Sequence, residues 1–272
     1  MIIRPPSVAG TFYPAEEQAL VADIRSHLDA AGPVVAREAA GFVVPHAGYI
    51  YSGPTAAYAY KLLVNRPYEK VAILAPSHFE GFDGLSVYSG DALATPLGEV
   101  KVSVEDRDRL IGYDGIFASE MGYRQEHSLE VQLPFLQYVL KPGWEVIPLV
   151  MGRQTRETVD LASKILGDFL HRTHLSIISS DLSHYYPYER ARRMDGRFCS
   201  LVQEGRLDAL WDAHRDGEVE ACGFGPIFSF LQSLAGRDEV VTEILDYRNS
   251  GDTAGPKEQV VGYCSIGVFW RD

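Results

Sequence analysis

Cysteine is scarce in this 272-residue chain: Cys199, Cys222 and Cys264 are the whole set, with no Cys-x-x-Cys pair. An odd, sparse set excludes a disulfide framework and fits reduced thiols in the cytoplasm. Long apolar runs are missing too. No stretch approaches the roughly 20 residues a membrane span needs. The start, Met1-Ile2-Ile3-Arg4-Pro5-Pro6, lacks the basic-then-apolar layout of a signal peptide. The expectation is a cytoplasmic protein with no membrane contact. Positive charge is in deficit, 25 Lys and Arg against 37 Asp and Glu, for a net charge of −12. That argues against a nucleic-acid partner, which demands a broad basic surface. Repeats, low-complexity tracts and long linkers are absent as well, so one domain over residues 1–272 is the simplest organisation.

What is present is ordinary globular material, 46% hydrophobic and 23% charged, able to bury a core. Leu20, Val21, Ile24 and Leu28 have helical spacing. Strands are expected near 41–45, 71–75, 85–88, 145–151, 175–180, 239–246 and 260–269. Helices are expected near 54–64, 128–140, 155–171, 189–203, 206–214 and 226–235. Such alternation predicts a layered α/β fold with a mostly parallel or mixed sheet. Gly53-Pro54 and Gly225-Pro226 each read as a helix opening, where proline's missing N–H costs nothing. Arg248 to Lys257, rich in Gly, Asp and Thr, reads as an exposed loop.

Three apolar runs each end on a histidine in a small polar or Gly/Pro turn: Gly41 to His46, Val71 to His78, and Ile177 to His184. The first two look like buried strands of a parallel sheet. In an open α/β sheet, ligands bind outside the carboxyl ends of the strands. Histidines placed there by separate strands can converge on one cleft, the geometry of a metal or acid–base site. Neutral imidazole is the commonest protein metal ligand near neutral pH.

His46 opens a Gly-rich turn that also carries Tyr49 and Tyr51. Cys222 precedes a predicted helix N-terminus, where exposed N–H groups and the helix dipole favour a thiolate. It reads as a metal ligand, a nucleophile, or a small residue packed beside the turn. Asp181 and His184, three apart at a strand end, suit a general base and its orienting partner, or a turn cap and a surface imidazole. Glu126 and His127 stand at the start of a helix with apolar positions Leu129, Leu133, Leu136 and Leu140, either facing the cleft or capping the helix. His27, His171, His174 and His214 read as solvated or capping residues.

Together these segments resemble the Memo family, whose prokaryotic members are called AmmeMemoRadiSam system protein B. The resemblance runs from Arg4-Pro5-Pro6-Ser7-Val8-Ala9-Gly10-Thr11-Phe12-Tyr13-Pro14 through Pro45-His46-Ala47-Gly48-Tyr49, Pro76-Ser77-His78, Thr95-Pro96-Leu97, Glu126-His127-Ser128-Leu129-Glu130, Ser180-Asp181-Leu182-Ser183-His184 and Cys222-Gly223. The family is similar to the class III extradiol (LigB-like) dioxygenases. That likeness implies a three-layer α/β/α domain and metal ligands at His46, His78 and Cys222. The dioxygenases supply two His and a carboxylate. A thiolate in its place softens the site, keeping Fe(II) compatible and admitting zinc or copper. The resemblance further implies His184 as a proton shuttle, Asp181 as the residue that orients it, and Tyr51 as a substrate hydrogen-bond partner. Glu126, His127 and Tyr49 are expected at the substrate.

The function so implied is a metal-dependent, dioxygenase-like oxidoreductase acting on a small molecule or peptide. A zinc-dependent hydrolase or lyase uses the same three ligands. A binding module without catalysis is the third reading, since eukaryotic Memo proteins are associated with phosphotyrosine peptides. Eukaryotic members carry Cys-Gly-Arg-His-Pro where this chain has Cys222-Gly223-Phe224-Gly225-Pro226, which removes two phosphate-binding side chains. The prokaryotic name implies a pathway association with a radical SAM protein and an AMMECR1-domain protein.

Overall fold

A computed structural model of the chain describes residues 1–271. In chain order the first half gives β1 (Ile3–Arg4), α1 (Glu17–Ala30), β2 (Ala39–Val44), α2 (Tyr49–Lys61), β3 (Lys70–Pro76), β4 (Leu85–Tyr88), β5 (Ala92–Thr95), β6 (Gly98–Lys101), α3 (Val104–Leu110), β7 (Ile116–Ser119) and α4 (Gln132–Val139). The second half gives β8 (Glu145–Met151), α5 (Arg156–Phe169), β9 (His174–Ser179), β10 (His184–Tyr186), α6 (Tyr188–Gln203), α7 (Leu207–Arg215), α8 (Phe224–Ser233), β11 (Val240–Asn249), α9 (Ser250–Thr253) and β12 (Val260–Trp270).

The main sheet runs β10-β12-β2-β9-β3-β8-β4-β7, with β11 on the other edge of β12. Its centre, β2-β9-β3-β8, is parallel; β12 joins β2, and β4 joins β8, antiparallel. The sheet is therefore mixed. The central strands are mainly apolar because both of their faces are covered. In β3, Val71, Ile73 and Ala75 pack with α1, α2 and α4. Ala72 and Leu74 point the other way, into a second core formed with α5, α6, α7 and α8. Phe42 and Val44 against Ala40 and Val43 divide β2 in the same manner. The result is the expected three-layer α/β/α architecture.

Three local expectations need correction. Helix α2 starts at Tyr49, five residues before Pro54, which lies inside it. The N-terminal segment makes this possible: the Phe12 carbonyl accepts the Tyr49 N–H at 2.8 Å, anchoring the first turn. Pro54 leaves the Ile50 carbonyl without its helical donor, but Ile50 is on the exposed side. Helix α4 starts at Gln132 rather than 128, because Ser128 to Val131 form a turn. The 248–257 segment is not simply an exposed loop. Asn249 and Ser250 are buried, and Asn249 Oδ1 accepts from Gly251 N–H while Asp252 accepts from Asn249 N–H, a reciprocal cap on α9. The small sheet β1-β5-β6 carries no expectation from the sequence, since strands of two to four residues show no periodicity.

Candidate metal centre

Three adjacent parallel strands deliver three side chains to one edge of the sheet. His46, Asp181 and His78 each lie two residues beyond the ends of β2, β9 and β3. Cys222 comes from outside the sheet, on the turn before α8. Its N–H donates to the Asp181 carbonyl at 3.2 Å, and the Gly223 N–H donates to Ser180 Oγ at 2.9 Å. A Cβ on Gly223 would sit 2.8 Å from the Ser179 carbonyl oxygen, so only glycine lets the turn come this close.

His46 Nε2 lies 3.2 Å from Cys222 Sγ. The donor atoms of His46, His78 and Cys222 all fall within 4.8 Å of one another. Ligands about 2.0–2.3 Å from a tetrahedral ion stand roughly 3.3–3.8 Å apart, so the trio fits a single metal with small adjustments.

The hydrogen bonds behind the trio fix which nitrogen faces it. Ser179 Oγ has one proton and donates it to the Ser128 carbonyl at 2.5 Å. It therefore accepts from Gln132 Nε2 at 2.7 Å and from His46 Nδ1 at 2.9 Å. His46 is thus the Nδ1–H tautomer, with its Nε2 lone pair turned to Cys222. Glu126 does the same for His78, accepting from its Nδ1 at 2.9 Å and its main-chain N–H at 2.6 Å. It also takes the Ser128 N–H at 3.0 Å. Glu126 is a buried group that orients His78 and is not part of the cleft lining, although the sequence reading expected it at the substrate.

Charge follows from burial. Burial, followed by the neighbouring imidazoles, pushes His46 well below its ordinary value, so it is neutral near pH 7. Burial also lowers His127. For His78, burial pulls down but the Glu126 carboxylate outweighs it, and the net shift is upward. Burial alone would raise Glu126; the bonds from His78 and Ser128 win and hold it at about 2. Asp181 is pushed up to about 6 by burial, although it accepts the His46 N–H at 2.8 Å. Cys222 departs from expectation. Burial and the Asp181 carboxylate raise its thiol, overriding the helix N-terminus that favours a thiolate. The Asp181 N–H on Sγ at 3.3 Å is a partial compensation. A cation held at the trio would supply the rest of what a thiolate needs.

His46 and His78, but not Cys222, line a cleft of about 520 Å³ that is also walled by His127, His184, Tyr51, Tyr185, Phe12 and Tyr263, among others. His127 stacks on His78 with ring centroids 4.9 Å apart. Tyr49 is elsewhere: it is 2% exposed, packs on Phe135, and donates its hydroxyl to the Val131 carbonyl. Helical spacing puts Tyr49 and Tyr51 on different faces of α2, and only Tyr51 reaches the cleft. Asp181 makes no hydrogen bond to His184; the carboxylate at His184 is Glu220, whose Oε1 accepts its N–H at 3.2 Å and lies 3.7 Å from its Nδ1.

Sequence reading gave no role to Ser179, Gln132 or Glu220, nor to the latch behind Phe12. There, buried Glu130 pairs with Arg4 Nη1 at 2.5 Å and accepts from Ser7 N–H, Val8 N–H and the Tyr13 hydroxyl. Arg4, Ser7, Val8, Tyr13 and Glu130 enter the sequence reading only as members of the motif segments that carry the family resemblance.

Comparison with known proteins finds relatives along almost the whole chain. A family model described as "Memo-like protein" matches residues 4–267. A MEMO1 family protein of Aeropyrum pernix is 36% identical, covering 98% of this chain and 100% of its own length. One from Aquifex aeolicus is 37% identical over 98% and 99%, and one from Methanosarcina mazei 34% over the same shares. Among solved structures, an uncharacterized protein from Escherichia coli K12 shares the fold at a TM-score of 0.53 and 11% identity, covering 84% of this chain and 98% of that one.

Proposed function

This chain belongs to the Memo family, and from that premise we propose a metal-dependent oxidoreductase whose single ion is held by His46, His78 and Cys222. The observation that carries the reading is the tautomer pair: Ser179 and Glu126 each hold a histidine by Nδ1 and leave Nε2 for a metal. Two imidazoles and one thiolate suit Fe(II), with zinc and copper as further candidates. Such an ion supplies Lewis acidity and, where it is iron or copper, electron transfer.

The chain's own groups do the rest. His127, which burial favours as the neutral imidazole, and His184 stand in the cleft wall, where each ring can donate or accept a proton at a bound substrate. Tyr51 presents a hydroxyl on the same wall. Asp181 braces the His46 main chain and, by burial, keeps a proton to higher pH than an ordinary aspartate. Phe12, Tyr185 and Tyr263 add aromatic surface to the same wall. No Lys or Arg lines the cleft, which speaks against a phosphate-bearing peptide as the ligand. The radical SAM and AMMECR1-domain associations belong to the proposal as pathway neighbours.

Iron-loaded protein supplied with ascorbate should consume dioxygen faster than an equal amount of free iron, and Cys222→Ala should lose the difference. Consumption equal to free iron would sink the oxidoreductase reading. Zinc binding with no oxygen uptake would favour hydrolysis.

A further inference from the structure

Among the described residues, Tyr185 is one of two non-glycine residues with positive φ, at 62°. That conformation crowds the Cβ of an L-residue against its own backbone and is held only when the surroundings impose it. It is also the extra residue of a bulge: His184 pairs with Val261 and Tyr186 with Val260, so two steps on β10 face one on β12. Bulges re-aim side chains beside active sites. Here the aimed side chain is a tyrosine 68% exposed at the cleft wall, its ring 5.7 Å from that of His184.

One carboxylate grips both flanks of the bulge. Glu220 Oε1 accepts the His184 N–H at 3.2 Å, and Oε2 accepts the Tyr186 hydroxyl at 3.0 Å. Glu220 lies two residues before Cys222, so the same turn that carries the thiol sets the bulge. The rings of Phe12, Tyr51 and Tyr263 share the wall with Tyr185, and no Lys or Arg does.

We propose that Tyr185 is a substrate-gripping residue that closes on a flat apolar group of a molecule chelating the metal, and that Glu220 is its positioning residue. This rests on the metal-site reading above. The probes are acetohydroxamate and benzohydroxamate, which share one metal-binding headgroup and differ by a ring, titrated into zinc-reconstituted protein. Wild type should prefer benzohydroxamate by about fivefold, the size of one aromatic contact. Tyr185→Gly should bring the two affinities together, and should melt no lower than wild type, since glycine adopts positive φ freely. Glu220→Ala should erase the preference as well, with Glu220→Gln restoring it through its remaining acceptor.

An undiminished preference in Tyr185→Gly overturns the grip alone, as does equal binding of the two probes in wild type. A wild-type preference in Glu220→Ala overturns the positioning role. Binding of neither probe overturns the metal site, and the grip with it.

Discussion

The Ser179 hydroxyl has a single proton, and where it goes decides which nitrogen of His46 can take a metal. Removing that oxygen leaves Gln132 Nε2 and His46 Nδ1 without their partner. Ser179→Ala should therefore weaken zinc or iron binding by about 10- to 100-fold, the usual cost of losing a group that orients a ligand. A chelator competition titration measures this, and an unchanged affinity would remove Ser179 from the account. A second residue-scale test lies away from the metal. Burial raises Asp195 from 3.8 to about 6, despite bonds from Tyr247 and Ser183. The folded protein then holds a proton that the unfolded chain has already released, so this group costs stability as pH rises from about 4 to 6. Asp195→Asn should remove that slope and gain about 2–3 kcal/mol at pH 7, read from urea unfolding at several pH values. His46, His78 and Cys222, which converge in the structure, stood out in the sequence because each follows an apolar run or precedes a helix. Ser179 was not, since nothing in a sequence says which of two adjacent serines faces inward.

Elements were legible according to their length. The buried strands β2, β3, β8, β9 and β12 and the helices α1, α5 and α6 are long enough for their apolar pattern to show. Pro54 misled the reading of α2, because the anchor at its true start is a main-chain carbonyl from Phe12, thirty-six positions earlier than Gly48. The same N-terminal segment is tied down by Glu130, just ahead of α4. Glu130→Ala would leave Arg4 charged, buried and unpaired, along with the N–H groups of Ser7 and Val8. The expected loss is about 3–5 kcal/mol. It should be accompanied by displacement of Phe12, visible as a chemical-shift change at His127, whose ring is 4.6 Å away. A loss under about 1 kcal/mol, the range of an exposed pair, would mean the latch is dispensable.

At the scale of the molecule, the parallel order β2-β9-β3 turns a sequence pattern into a site, since three strands running the same way must release their ends on one side. The arrival of Cys222 on the turn before α8 depends on the complete α/β/α stack, which places α8 across β9 and β3. Local pattern could propose the cysteine but not bring it within 3.2 Å of His46. A metal that binds only the folded chain must also stabilise it, by about 4 kcal/mol at a thousandfold excess over Kd. The melting temperature should therefore climb with added metal in wild type and stay flat in Cys222→Ala.

The most direct test of the central claim is elemental analysis of protein purified anaerobically without a metal-chelating tag, beside the His46→Ala/Cys222→Ala double variant. The account predicts close to one metal ion per chain in wild type and none in the variant. A wild-type protein that carries no metal and takes up none on reconstitution, or a variant that keeps it, would contradict the account.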